Sequence, residues 1–220
     1  MNRWYIVEKE FNELFDRWSA NYDHTVSGAD IEYREVFKSY DDILQLIAFR
    51  AHGRVIEFGV GTGNLTKEVI KQGHHIKGVE PSKNMRAIAQ RKLPQVVIED
   101  GHFLDFPFID DHVDTVVSSY AFHHITDREK DRSIDLYKNM LNDGGRIIFA
   151  DTIFIDKASQ DKAIRKAKDQ AYHRLAKDLQ TEYYTTHAVI DRILRKHGFL
   201  THYEKMNDFV WLIEAKKERT

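Results

Sequence analysis

Residues 55–65 read VIEFGVGTGNL, with Gly59, Gly61 and Gly63 packed into five residues directly after an apolar run. Glycine at that density strips a loop of side chains and lets something come close to the backbone. The apolar run reads as a strand and NLTKEVIKQ after it as a helix. In that setting a glycine loop holds a nucleotide or nucleoside at the carboxyl ends of parallel strands. A dinucleotide fingerprint, G-x-G-x-x-G, counted from Gly59 and Gly61, needs its last glycine at 64. That position is Asn64 and the third glycine comes one residue early, which argues against a pyrophosphate and a nicotinamide oxidoreductase.

Acidic residues sharpen the choice. Glu80 closes the second apolar run, HIKGVE, where a carboxylate can accept both hydroxyl protons of a ribose. Glu57, in the strand before the loop, is read as a support of the loop itself. Further on, Ser118-Ser119-Tyr120 leads into His123 and His124, and one of these can serve as a general base; packing of the helix that follows is the competing role. Two adjacent histidines without a nearby carboxylate pattern are a weak metal signal, and no metal site is expected. Tyr183 and Tyr184 are candidates for lining a substrate pocket.

Strands and helices must position these groups. RVIEF (54–58), HIKGVE (75–80), VVIED (96–100), VDTVVSSY (113–120) and GGRIIFADT (144–152) read as strands, separated by helical patterns. Ser82 opens the helix SKNMRAIAQRKL, and Thr126 with Glu129 forms a capping box for a helix ending near Leu141. Strands apolar nearly throughout, alternating with helices, indicate a parallel sheet covered on both faces. Before the first strand, Phe11, Leu14, Phe15 and Trp18 share one helical face, and Ile31 to Ile47 continues at helical spacing. Residues 156–179 read as one long helix, followed by a helix near His187–His197 and two strands, LTHYEK and DFVWLIEAK. The expected division is one domain with a helical cap (1–50), a binding core (51–155), a helical cover (156–184) and a C-terminal helix and strands (185–220).

The chain has 220 residues, 33 Lys+Arg against 35 Asp+Glu, and no cysteine. That balance lacks the bulk positive charge that draws a polyanion, so no nucleic-acid partner is expected. The absence of thiols fits a reducing interior. No run approaches the roughly 18 apolar residues of a membrane span, and the start, MNRWYIVEKEF, is not a secretory signal. A cytoplasmic protein, monomer or dimer, is the expectation.

Taken together, E-F-G-V-G-T-G, Glu80-Pro81-Ser82 and GHFLDFPFIDDHVDTVVSSYAFHHI resemble the motifs of class I S-adenosylmethionine-dependent methyltransferases. The flanks FDRWSANYD and NDFVWLIEA are similar to the YrrT-like methyltransferases of Gram-positive bacteria. The resemblance implies a Rossmann-like α/β fold: a seven-stranded, mostly parallel sheet with an antiparallel last strand, helices on both faces and an N-terminal helical cap. It implies S-adenosyl-L-methionine as cofactor, held by Tyr22, Gly59, Gly61, Gly63, Glu80, Gly101, His102, Phe103 and Ser119, with His123 on the substrate side. The expected reaction is in-line methyl transfer to a small molecule; a non-catalytic regulator that binds S-adenosylmethionine or S-adenosylhomocysteine is the alternative. The family carries Gly-Asp where this chain has Gly101-His102. The adenine is then read mainly by backbone around 101–103, with Asp100 aimed differently.

Overall fold

The computed structural model describes residue 19, residues 21–107 and residues 113–218. The helical face of Phe11, Leu14, Phe15 and Trp18 lies outside these described residues.

Five parallel strands form the heart of the sheet: β1 (Arg54–Phe58), β2 (His75–Val79), β3 (Ile98–Glu99), β4 (Val113–Ser119) and β5 (Leu141–Phe154). The chain returns through β6 (Thr185–Thr186), which pairs with the end of β5, then β7 (Phe199–Lys205) and β8 (Val210–Lys217). The main path runs β3-β2-β1-β4-β5-β8-β7, and β8 is antiparallel to both neighbours. The order reverses between β1 and β4, so the carboxyl ends of those strands flank a crevice. This is the seven-strand arrangement, with an antiparallel last strand, that the resemblance implies.

Seven helices of eight residues or more cover the described part of the sheet: α1 (Tyr40–Arg50), α2 (Asn64–Lys71), α3 (Lys83–Lys92), α4 (Asp127–Met140), α5 (Lys157–Asp169), α6 (His173–Thr181) and α7 (His187–Lys196). Their starts follow from local chemistry. Ser82 accepts from the Met85 amide to begin α3, and Thr126 and Glu129 exchange capping bonds at α4. One core layer joins Ile43, Leu44 and Ile47 of α1, Leu65 and Val69 of α2, and Leu175 and Leu179 of α6 to Ile148, Ala150 and Leu212 of the sheet. On the opposite face Ile134 and Tyr137 of α4 and Ile190 and Leu194 of α7 pack on Ile56, Phe149 and Ile213. Both faces are covered, which is why the central strands are apolar nearly throughout.

Two helical expectations are corrected. The stretch Ile31–Ile47 is not one helix: only α1 from Tyr40 onward is regular, and turns occupy residues 31–39. Tyr33 and Val36 are nonetheless buried in the first core layer, so the apolar spacing marks burial rather than a continuous helix. The long helix over 156–179 is broken into α5 and α6, with Ala171 at the joint in the left-handed region (φ 58°). The break lets Ala167 of α5 and Leu175 and Leu179 of α6 enter the same core layer. The third strand is also shorter than 96–100, and the fifth extends from 141 to 154.

The segment before α1 is fastened at both ends. Asp23 accepts from Thr62 Oγ1 (2.6 Å), Asn64 Nδ2 (3.1 Å) and Lys92 Nζ (2.6 Å), tying it to the glycine loop and α3. At the far end Arg174 of α6 makes two 2.8 Å bonds to Asp30 and one of 3.1 Å to Glu32. Glu32 also accepts from the Arg174 and Leu175 amides at the start of α6, and Tyr33 donates a short hydrogen bond to Asp178.

Ala171 is exposed, and its left-handed backbone costs about 1–2 kcal/mol. Glycine removes that strain but adds about 0.5–1 kcal/mol of unfolded-state freedom. Ala171→Gly is therefore expected to stabilise the protein by up to about 1 kcal/mol, measured by denaturant unfolding; a clear loss of stability would contradict the turn geometry.

Candidate active site

The glycine loop leaves β1 and turns toward β2. Gly59 donates to Val79 O (2.9 Å), and a Cβ at Gly59 would lie 2.7 Å from Ala121 Cβ, so the loop rests against the segment after β4. At Gly61 the backbone is left-handed (φ 56°) and a Cβ would meet only Met85 Sδ, at 3.8 Å, which leaves that stretch of main chain bare. Gly63 precedes the first residue of α2.

Glu80 is buried and holds this loop in place. Its Oε2 accepts from the Gly61 amide (2.7 Å) and its Oε1 from the Ser82 amide (2.8 Å). Glu57 is fully buried and accepts from Thr66 Oγ1 (2.5 Å), which ties β1 to α2. Burial pushes its carboxyl up to about 8, against the Thr66 bond and helped by the charge on Glu80.

At the other side of the loop, Phe103 stacks on Phe58 (5.9 Å) and its carbonyl accepts from Tyr137 OH (3.1 Å). Gly101 begins the tight turn in which His102 N donates to Asp105 O (2.7 Å). His102 Nδ1 accepts from the Leu104 amide (3.2 Å). Asp100 turns outward to Arg86 (2.9 Å). Ser119 ends β4 opposite Ala150, and Ser118 Oγ donates to Phe58 O (2.8 Å). Tyr22 is hydrogen-bonded to Tyr40 and packs against the first core layer beside the loop's helix.

His123 and His124 lie in a single 3-10 turn after β4. Each has a carboxylate that sequence reasoning missed. His123 Nδ1 meets Asp151 Oδ1 at 2.5 Å, and His124 Nδ1 meets Glu182 Oε2 at 3.0 Å. Asp151 comes from the end of β5, 28 residues away; the one available signal is a lone acid in the apolar strand IIFADTIF. The Thr152 amide also donates to Asp151 Oδ1 (2.8 Å), fixing the carboxylate. Tyr184 stacks on His123 (5.0 Å), and the Tyr183 amide donates to His123 O. The Tyr183 side chain is exposed, so of the two tyrosine rings only that of Tyr184 packs on the pair. Buried Lys130 donates to Ile125 O and Tyr183 O, clamping α4 to the segment after α6.

The two imidazoles are tuned apart. Burial alone would lower His123, but the charge and hydrogen bond of Asp151 outweigh it and raise it above the ordinary value near 6.5. Burial and the neighbouring His123 lower His124, against the pull of Glu182.

A seven-strand path with its last strand reversed, a glycine loop after β1, an acid after β2 and a polar loop after β4 together define a class I S-adenosylmethionine-dependent methyltransferase. Residues 55–145 match the family described as Methyltransferase domain. An uncharacterized methyltransferase of Bacillus cytotoxicus is 50% identical over 210 residues, 95% of this chain and 99% of the relative; one from Bacillus mycoides is 49% identical over the same shares. The chain belongs to this methyltransferase family. Solved structures show the same fold. Magnesium protoporphyrin IX methyltransferase from Synechocystis PCC 6803 with bound S-adenosylhomocysteine superposes with a TM-score of 0.70 at 18% identity, covering 97% of this chain and 99% of that one. A Thermotoga maritima S-adenosylmethionine-dependent enzyme, described as a possible histamine N-methyltransferase, gives 0.68 at 18% identity, over 94% of this chain and 99% of that one. Among the described residues no helix is long and apolar enough to cross a membrane.

Asp151→Asn removes the charge that holds the His123 proton while leaving the desolvation of the ring in place. The His123 pKa is then expected to fall below its ordinary value, read from imidazole NMR resonances across a pH titration. An unmoved midpoint would show that Asp151 does not govern His123.

Proposed function

We propose that this protein transfers a methyl group from S-adenosylmethionine to a small-molecule acceptor, with His123 as the general base. The carrying observation is the 2.5 Å bond between His123 Nδ1 and the buried Asp151 carboxylate. A carboxylate on Nδ1 keeps the neutral ring's proton there and leaves Nε2 as a proton acceptor. Asp151 also stabilises the imidazolium that forms when the acceptor's proton arrives.

The residues of the loop fit this donor. Gly61 offers bare main chain where a side chain would fill a cradle, and the Glu80 carboxylate, the group type that accepts from ribose hydroxyls, stands beside it. Gly59, Gly61, Gly63, Glu80 and Ser119 would hold the molecule along the strand ends, with Tyr22 over it and Gly101, His102 and Phe103 at the adenine. When bound, S-adenosylmethionine supplies a methyl group already activated on a sulfonium. The chain's own work is then to orient, to exclude water and to remove a proton, and orientation alone can be worth about 7–11 kcal/mol. Asp23 fastens the segment carrying Tyr22 directly to Thr62 and Asn64, which supports a closed site. A regulator that only senses the cofactor has no use for a histidine backed by a buried carboxylate beside it, so the pair favours turnover.

A labelled-methyl screen against small metabolites tests the reading and identifies the acceptor. With that acceptor, His123→Ala is expected to lower kcat by about 10²-fold or more with cofactor affinity little changed, and His124→Ala to cost much less. Equal, small effects would return both histidines to a packing role. Protonated His123 cannot accept a proton. The wild-type rate should therefore fall as pH drops through a midpoint above the ordinary imidazole value, and that midpoint should move down in Asp151→Asn.

Glu80 provides a separate check on the cofactor side. Charged hydrogen bonds contribute about 1.5–3 kcal/mol each, so Glu80→Ala should weaken S-adenosylhomocysteine binding by about tenfold to several hundredfold in calorimetry. A change within about twofold would remove Glu80 from the site.

A further inference from the structure

Tyr120 carries two unfavourable features at once. It follows the last residue of β4 in a left-handed conformation (φ 52°) that non-glycine residues rarely adopt. Its ring is buried, and its hydroxyl has no hydrogen-bond partner among the described residues. Strain of this kind persists where the surroundings over-determine it, and it clusters at ligand sites. A buried phenol without a partner is the group that a ligand would satisfy.

The left-handed turn also decides where the ring goes. Simple alternation along β4 would place Tyr120 on the face of Val116, with the second core layer. Instead it joins Val117 in the first layer, against Phe37 (5.0 Å) and Tyr40 (5.4 Å). Tyr40 in turn is hydrogen-bonded to Tyr22 and lies 3.4 Å from Asn64 Nδ2, at the start of the glycine loop's helix. Three phenols thus gather where the segment before α1 meets the ends of β1 and β4, and Ala121, the next residue, rests against Gly59. Two carboxylates face these phenols, each already partnered: Asp23, paired with Lys92, beside Tyr22 and Tyr40, and Asp151, paired with His123, beside Tyr120, while Glu57 beside Tyr40 keeps its proton below about 8. Clustered aromatic rings and an unsatisfied phenol oxygen favour a cation.

We propose that Tyr120, with Tyr22 and Tyr40, is a charge-sensing contact for the methyl donor, binding its cationic sulfonium more tightly than the neutral thioether left after transfer. The inference rests on the donor assignment above and adds a role that neither the glycine loop nor Glu80 can fill, since both grip parts common to donor and product. Methyl transfer moves the positive charge off sulfur, so the same contact that retains the donor relaxes its hold on the product.

The test is calorimetry on the full chain with S-adenosylmethionine and S-adenosylhomocysteine, for wild type, Tyr120→Phe and Tyr120→Leu. Tyr120→Phe should weaken the sulfonium compound by about fivefold and leave the thioether within about twofold; Tyr120→Leu, which also removes the ring, should widen the difference. Ligand-free Tyr120→Phe should melt no lower than wild type, because the orphaned hydroxyl is gone. Equal changes for both ligands, or none for either, would overturn the proposal while leaving the donor assignment standing. Failure of the wild type to bind either ligand would overturn both.

Discussion

The bond from the Gly61 amide to the buried Glu80 carboxylate is the contact on which the site's geometry turns. A loop with three glycines has little reason of its own to hold one shape, because each glycine widens the backbone choices. Glu80 supplies the missing constraint by gripping Gly61 and, through its other oxygen, the amide two residues beyond itself. The ends of β1 and β2 are thereby fixed relative to each other. Asp23 adds a second restraint from outside, through Thr62 and Asn64, and Gly59 a third through its contact with Ala121. The loop leaves its main chain bare at Gly61 yet is held from three sides.

Beyond the loop, the histidine pair shows how one fold separates two identical side chains. His123 and His124 are adjacent, half-buried, and each bonded to a carboxylate, with ring centroids 4.1 Å apart. Mutual repulsion keeps both from holding a proton easily. The more deeply buried acid, Asp151, settles the contest in favour of His123. The arrangement relies on β5 for Asp151, on the segment after α6 for Glu182 and Tyr184, and on Lys130 to hold that segment against α4.

What could be read from the chain alone divides along sequence distance. The strand RVIEF, the loop after it, the Ser82 cap and the Thr126–Glu129 box are short-range features, and each is present in the fold. The seven-strand order follows from the same alternation, helped by the family resemblance. The partners of His123 and His124 lie 28 and 58 residues away, so no local pattern announces them. The break at Ala171 has no glycine or proline to mark it; tertiary packing of Leu175 and Leu179, with Arg174 fastened to Asp30 and Glu32, imposes it. Residues 31–39 misled for the related reason that burial at helical spacing does not require a helix. Tyr120 is legible only as an aromatic after a strand; its left-handed backbone and orphaned hydroxyl belong to the folded state.

Glu57 carries a consequence for how the molecule meets changes in acidity. Its carboxyl titrates near 8 in the fold, against an ordinary value near 4.5, chiefly because it is sealed from water. Between those values the unfolded chain has released this proton and the native chain keeps it, so folding draws a proton from the solvent. By linkage this residue favours the native state less and less as pH climbs through that window, reaching its full cost above about 8. The strand that presents the glycine loop therefore carries a hidden acid, and alkaline conditions should loosen the protein from its centre before its surface charges are disturbed.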